Sequence, residues 1–133
     1  MKTKHFVAMM LIAFALLTSC KKEDTLTTTN IVTAGTWRVS YFNEENDDNS
    51  ADFSGYTFTF EDNGTMTATK NGVTETGTWS TQDNTTEFYM TIGNSKPLTD
   101  LSSGWTIIEK TETSIKLKDD NAAKNEQVYF TKN

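Results

Sequence analysis

The chain has 133 residues, one cysteine, one proline and 18 acidic against 12 basic side chains, for a formal net charge of −6 at pH 7. That length supplies one core and not two, and the acidic surplus excludes the basic face that nucleic acid or an anionic headgroup layer rewards. A lone cysteine excludes an intrachain disulfide.

Residues 1–19 have the layout of an export signal. Lys2 and Lys4 form its basic start, and residues 6–17 are an uncharged apolar run, too short to cross about 30 Å of hydrocarbon. The run ends in Leu17-Thr18-Ser19-Cys20, which resembles the lipobox of bacterial lipoproteins: a leucine, two small residues and a cysteine. The resemblance implies lipidation of the Cys20 sulfur through a thioether that carries palmitate-type chains, cleavage just before the lipidated cysteine, and a membrane partner reached through that anchor. Two or three chains make such an anchor stable, since each buried methylene contributes about 0.8 kcal/mol. Losing Lys2 and Lys4 with the signal leaves ten basic against eighteen acidic residues, a net charge of −8. His5, the only histidine, leaves as well. A histidine-based triad, an imidazole metal site and a free thiol nucleophile are then excluded, so the expectation is a non-enzyme without cofactor or metal.

Residues 20–33 are expected to be the lipidated cysteine and a disordered tether, with Lys-Lys-Glu-Asp and Thr27-Thr28-Thr29 offering little to bury. The charged run resembles the signal that sends lipoproteins of some Gram-negative bacteria to the outer face of the outer membrane. A plain solvated linker is the other reading. The resemblance implies an outer-membrane lipoprotein of the cell envelope, at its periplasmic face or at the cell surface. Asp24-Thr25-Leu26 resembles a short O-glycosylation signal of such bacteria.

From residue 34 to 133 the pattern has period two, apolar residues alternating with Thr, Ser or Lys, as half-buried strands require. Trp37, Val39 and Tyr41 face inward on the first strand, then Tyr56, Phe58 and Phe60, then Met66 and Ala68. Val73, Glu75, Gly77 and Trp79 share one face of the fourth. Phe88, Met90 and Ile92, Trp105 and Ile107, Ile115 and Leu117, and Val128 and Phe130 complete eight strands. Asn63-Gly64 and Asn71-Gly72 supply the positive φ of tight hairpins. Leu98 and Leu101, three apart, allow a single helical turn within residues 96–102. Eight antiparallel strands with one apolar face are predicted to close into an all-β, up-and-down meander barrel.

Gly35-Thr36-Trp37 matches the Gly-x-Trp signature of lipocalins. The later series, residues 58–65, Gly77-Thr78-Trp79, residues 104–108 and residues 111–117, resembles the lipocalin-like lipoproteins of Gram-negative bacteria over nearly all of the mature domain. That resemblance implies a lipocalin-like barrel. Lys132 stands where many lipocalins set an arginine against the first-strand tryptophan.

Connections in a meander alternate between the two ends of the barrel. Residues 61–65, 81–86 and 111–113 are short, whereas 43–55, 93–104 and 119–125 are long and fall at the end of the Asn71-Gly72 hairpin. Long loops carry function more often than tight turns, so that end is the expected mouth, with Trp37 and Trp79 plugging the other. Tyr41, Tyr56, Glu75, Met90 and Trp105 are the expected inward residues near the mouth, the mix of apolar wall and few polar groups that small-ligand sites use. An eight-stranded barrel either holds one small ligand or fills itself, and both readings stand. Glu44, Glu45, Asp47, Asp48 and Asp52 crowd the first long loop without the Asp-x-Asp-x-Asp-Gly spacing that wraps calcium. Two functions follow: binding of a small apolar or amphipathic ligand at the open end, or a protein-interaction or inhibitor module with a filled barrel. Tyr89 and Ile108 bear on the second, because a short connection between strands five and six would set them side by side on the outside.

Overall fold

Alternation of apolar and hydroxyl side chains resolves into strands that pair in the order of the chain. The computed structural model describes residues 26–133; the signal at 1–19, the lipidation at Cys20 and the start of the tether lie outside the described residues. The order is α1 (Thr28–Thr33), β1 (Trp37–Glu44), β2 (Asp47–Asp48), β3 (Thr57–Phe60), β4 (Thr65–Lys70), β5 (Val73–Thr81), β6 (Glu87–Thr91), β7 (Ser103–Lys110), β8 (Ser114–Asp119) and β9 (Gln127–Lys132). All pairings are antiparallel, β1 and β3 through β9 form consecutive neighbours, and β1 pairs back with β9. Eight strands thus close the barrel, and β2 is a two-residue flap on β1.

Period two follows from the pleat, and most of the expected inward set is in the core: Phe58, Phe60, Met66, Ala68, Phe88, Met90, Ile92, Ile107, Ile115, Leu117, Val128 and Phe130 are all buried. Their rings meet edge to face, Phe60 with Trp79 at 5.7 Å and Phe58 with Phe130 at 5.4 Å between centroids, a geometry favoured by the ring quadrupole. Asn71 (φ 51°) and Gly72 (φ 76°) turn the β4–β5 hairpin in the left-handed region, as an Asn-Gly pair allows without strain.

The tether is shorter than the sequence suggested. Residues 28–33 form α1, capped by the Thr27 hydroxyl, which accepts from the Asn30 amide at 3.1 Å. Ile31 and Val32 are buried against the barrel, and the indole of Trp37 donates to the Val32 carbonyl at 2.8 Å. A helix this short is marginal by itself; burial of its two apolar residues holds it. It sits at the end of the short turns, where Thr29 donates to Asp83 and Lys110 to Thr28. The Trp79 indole donates to the Glu61 carbonyl at 2.9 Å, so both tryptophans pack into that closed end.

Three further expectations are corrected. In β1 the ladder with β9 slips by one residue between Val39 and Tyr41, and such a bulge reverses the faces beyond it. Phe42, not Tyr41, therefore enters the core, and Tyr41 lies half-exposed against Tyr129, ring centroids 4.8 Å apart. Val73 is 67% exposed, because β5 runs past the last β6 partner at Thr78↔Thr91 and has no barrel wall to pack on. Tyr89 lies opposite Gly104, which leaves Ile108 four residues further along β7 and about 13 Å away at a strand's rise per residue.

Candidate functional site

The long-loop end, the expected mouth, is covered. Two 3-10 turns, Ser50–Phe53 and Leu98–Leu101, drop Phe53, Leu98 and Leu101 into the core. The Trp105 indole donates to the Leu101 carbonyl at 3.0 Å, which fixes the second turn over the barrel. At the surface Lys96 links the two loops, 3.3 Å from Glu44 and 3.2 Å from Asp100; exposed pairs of this kind contribute little stability. Met90 and Trp105 are fully buried parts of this packing. The five expected ligand residues are not brought together: Tyr41 is outside, Met90 and Trp105 are core, and Tyr56 and Glu75 line two different surface concavities.

Glu75 borders a groove of about 360 Å³ between β5 and residues 91–94. Its base is Gly77, where any Cβ would collide with the Thr91 carbonyl oxygen and with Ile92. Ile92 crosses here into the core, held by Ser102, whose hydroxyl accepts from the Ile92 amide at 2.9 Å and donates to its carbonyl at 3.0 Å.

Tyr56 borders the larger concavity, about 510 Å³, in the wall between β1 and β3. The ladder between these strands has a single rung, Trp37↔Phe58, so the wall parts beyond it. Two features hold it open. The Ser40 bulge bends β1, and the turn at Ser50–Phe53 is inserted as a wedge. Ser50 accepts from the Phe42 amide at 2.8 Å, the Asn49 amide donates to the Phe42 carbonyl at 2.9 Å, and Phe53 meets Phe42 edge to face at 5.0 Å. Gly55, at φ 83°, turns the chain back into β3, and the Lys70 side chain lies over it.

The cleft has an apolar floor and a polar rim. Val39, Phe53 and Tyr56 line the floor, with Val39 and Phe53 buried and Tyr56 packed against the core, while Ala51 lines the cleft from an exposed position. Arg38, Ser40, Ser54 and Asn133 line the rim. Arg38 donates through one amino group to the Lys132 carbonyl at 3.1 Å and to the Asn133 side-chain oxygen at 3.4 Å. The Lys70 ammonium lies 4.9 Å from the centre of the Tyr56 ring, a cation–π distance. A concavity of this size is within the volume range of small-molecule sites, and its lining is mixed, with Ser50 and Thr57 adding to the polar groups. Sequence reasoning found Tyr56 alone among these residues. Arg38 carried a signal, as the chain's only arginine, and Phe53 another, as an aromatic residue in an acidic loop.

A second polar cluster lies at the long-loop end. Asp119 and Glu126 are 4% and 8% exposed and bracket the β8–β9 connection, the Asp119 amide donating to the Glu126 carbonyl at 3.0 Å. Burial pushes the Glu126 carboxyl above its ordinary range, and the neighbouring Asp119 and Glu44 charges push the same way against Lys124. Asp119 is well supplied with donors, from Ser103 at 3.0 Å and from the Asn121 amide at 2.6 Å. Among the described residues no group of three or more His, Cys, Asp or Glu side chains is placed to hold a metal ion.

No family model and no curated protein matches the chain. Solved structures do. A DUF4847 family protein from Bacteroides vulgatus superposes with a TM-score of 0.56 at 16% identity, covering 78% of this chain and 96% of that one. A lipocalin-like protein from Bacteroides uniformis gives 0.55 at 15% identity over 76% and 98% of the two chains. An uncharacterized protein from Bacteroides eggerthii gives 0.52 at 14% identity over 76% and 99%. At such identities the likeness is one of fold: the domain is a lipocalin-like barrel.

Proposed function

We propose that the chain is a non-enzymatic envelope lipoprotein, moored to the outer membrane through Cys20, whose lipocalin-like barrel binds a small amphipathic molecule in the side-wall cleft between β1 and β3. One observation carries the binding half of this reading: the barrel interior and its long-loop end are packed with side chains, while the wall opens at the one-rung seam onto an apolar floor. The anchoring half rests on the lipobox-like Leu17-Thr18-Ser19-Cys20 and the export signal before it.

Each half has its own test. Photoaffinity labelling of the nanodisc-held protein with short-chain diazirine amphiphiles, read by peptide mass spectrometry, is expected to mark residues 38–57. Labelling confined to the Gly77 groove or spread over the surface would refute the cleft. Cys20→Ser is expected to move the protein from the membrane pellet to the soluble fraction, and its retention in the pellet would refute the anchor. The protein-interaction reading has less support, because Tyr89 and Ile108, 43% and 49% exposed, do not form one patch.

A further inference from the structure

We infer that the cleft ligand is an anionic amphiphile, a molecule with a carboxylate or phosphate head and a short apolar tail, held by Arg38 with Lys70 beside it; this rests on the cleft reading above and deepens it. The chain carries 18 acidic residues and a single arginine. In so acidic a protein a surface guanidinium has many carboxylates to pair with. Arg38 pairs with none: its contacts are the Lys132 carbonyl and the Asn133 side-chain oxygen, and no carboxylate of the described residues is within ion-pair reach. Lys70 likewise makes no ion pair and rests over the Tyr56 ring. Arg38 thus lines the cleft and Lys70 stands over its Tyr56 side, neither compensated by a carboxylate.

The lining has the complementary pattern. It contains no acidic side chain, although Asp48 and Asp52 belong to the adjoining segments. Asp48 is turned to the amide and hydroxyl of Ser50, which hold its carboxyl below the usual range, and Asp52 is exposed and outside the lining. A guanidinium with part of its fork engaged still offers donors to an oxyanion. The apolar floor of Val39, Phe53 and Tyr56 lies directly next to it. Cation and floor together select a head of negative charge joined to hydrocarbon, and they oppose a cationic amphiphile of the same length.

The test uses the mature protein in zwitterionic nanodiscs with three diazirine probes of equal chain length, an alkyl carboxylate, an alcohol and a trimethylammonium, each below its micelle concentration, with empty nanodiscs subtracted. The carboxylate is expected to label residues 38–57 at a half-saturating concentration about tenfold lower than the alcohol, and the ammonium to label them least. Arg38→Gln, which keeps an amide donor for the Lys132 carbonyl, is expected to remove that tenfold preference, so that carboxylate and alcohol half-saturate together. Lys118→Gln, on β8 away from the cleft, is expected to change neither. Equal labelling by carboxylate and alcohol, or a preference that survives Arg38→Gln, would overturn the anionic class while leaving the cleft reading intact. Absence of cleft labelling by every probe would overturn both.

Discussion

Replacing Phe53 by alanine tests whether the turn that wedges β1 from β3 is part of the core or merely lies on it. Phe53 is 2% exposed and meets the fully buried Phe42 edge to face. Truncating a buried phenylalanine costs about 3–5 kcal/mol, of which roughly 0.5–1.5 belongs to the aromatic pair. One side of this ring borders the cleft, so the space left by the ring joins an existing opening and fills with water. The expected loss is therefore at the low end, about 3 kcal/mol. Phe53→Leu, which keeps most of the volume and loses the aromatic pair, is expected to cost about 1 kcal/mol. Equilibrium guanidinium unfolding followed by tryptophan fluorescence reads both, and Arg38→Gln in the same assay is expected to stay within about 0.5 kcal/mol as a rim substitution. A loss below about 1 kcal/mol for Phe53→Ala would refute the reasoning: the turn would then be a loose cover, and the cleft would have no fixed floor.

Other positions give separate tests. The raised Glu126 carboxyl means that, between its ordinary value of 4.5 and its higher folded value, the native chain keeps a proton that the unfolded chain releases. Its effect therefore favours folding at acidic pH, and that contribution is lost as pH rises through the folded value. Glu126→Gln is expected to raise the guanidinium midpoint at pH 7.5 and to leave it nearly unchanged at pH 4; a gain of equal size at both pH values would contradict this. Gly77→Ala is expected to destabilise by at least about 2 kcal/mol, since the new methyl meets the Thr91 backbone and Ile92, whereas Gly72→Ala, which meets no atom within 4 Å but sits at φ 76°, is expected to cost about 1 kcal/mol. Val32→Asp is expected to undock α1 and cost about 3 kcal/mol or more, read in the same guanidinium unfolding and by faster hydrogen exchange of the Trp37 indole N–H, which donates to the Val32 carbonyl.

What was legible in the sequence is what depends on neighbours within a few residues. A strand buried on one face must alternate, so Phe58 and Phe60, Met66 and Ala68, or Val128 and Phe130 announce their side of the sheet. Asn71-Gly72 announces its turn, because few other pairs adopt two positive φ values cheaply. The site depended on features without such a local signature. A one-residue slip at Ser40 is set by β9, some ninety positions later in the chain, and it exchanged Tyr41 for Phe42. Nothing in the spacing of Leu98 and Leu101, or in a lone Phe53, says that these loops fold back over the barrel; only the space left under them does. α1 was hidden for a related reason. Six residues with two apolar side chains have no helical period to detect, and the helix exists because Trp37 and the barrel end receive it.

The docked helix also changes what the proposed anchor implies. A disordered tether through residue 33 would let the domain tumble freely above the bilayer. With the structure beginning its helix at Thr28, seven residues separate that point from Cys20, and even fully extended the eight steps between them reach no more than about 29 Å. The α1 end is then held to the membrane side. The long loops at the far end are not, since β1 runs away from α1 from Trp37 to Glu44, about 23 Å along the strand, whereas the cleft residues Arg38 and Val39 lie at the start of β1, next to Trp37. A ligand delivered from the bilayer then has only that short span to travel to Arg38. Inserting fifteen flexible residues after Lys22 is expected to leave labelling by a soluble carboxylate probe unchanged and to slow labelling by a probe preloaded in the lipid, provided that delivery runs along the anchored end; equal rates in both forms would show that the geometry of the tether has no part in loading the cleft.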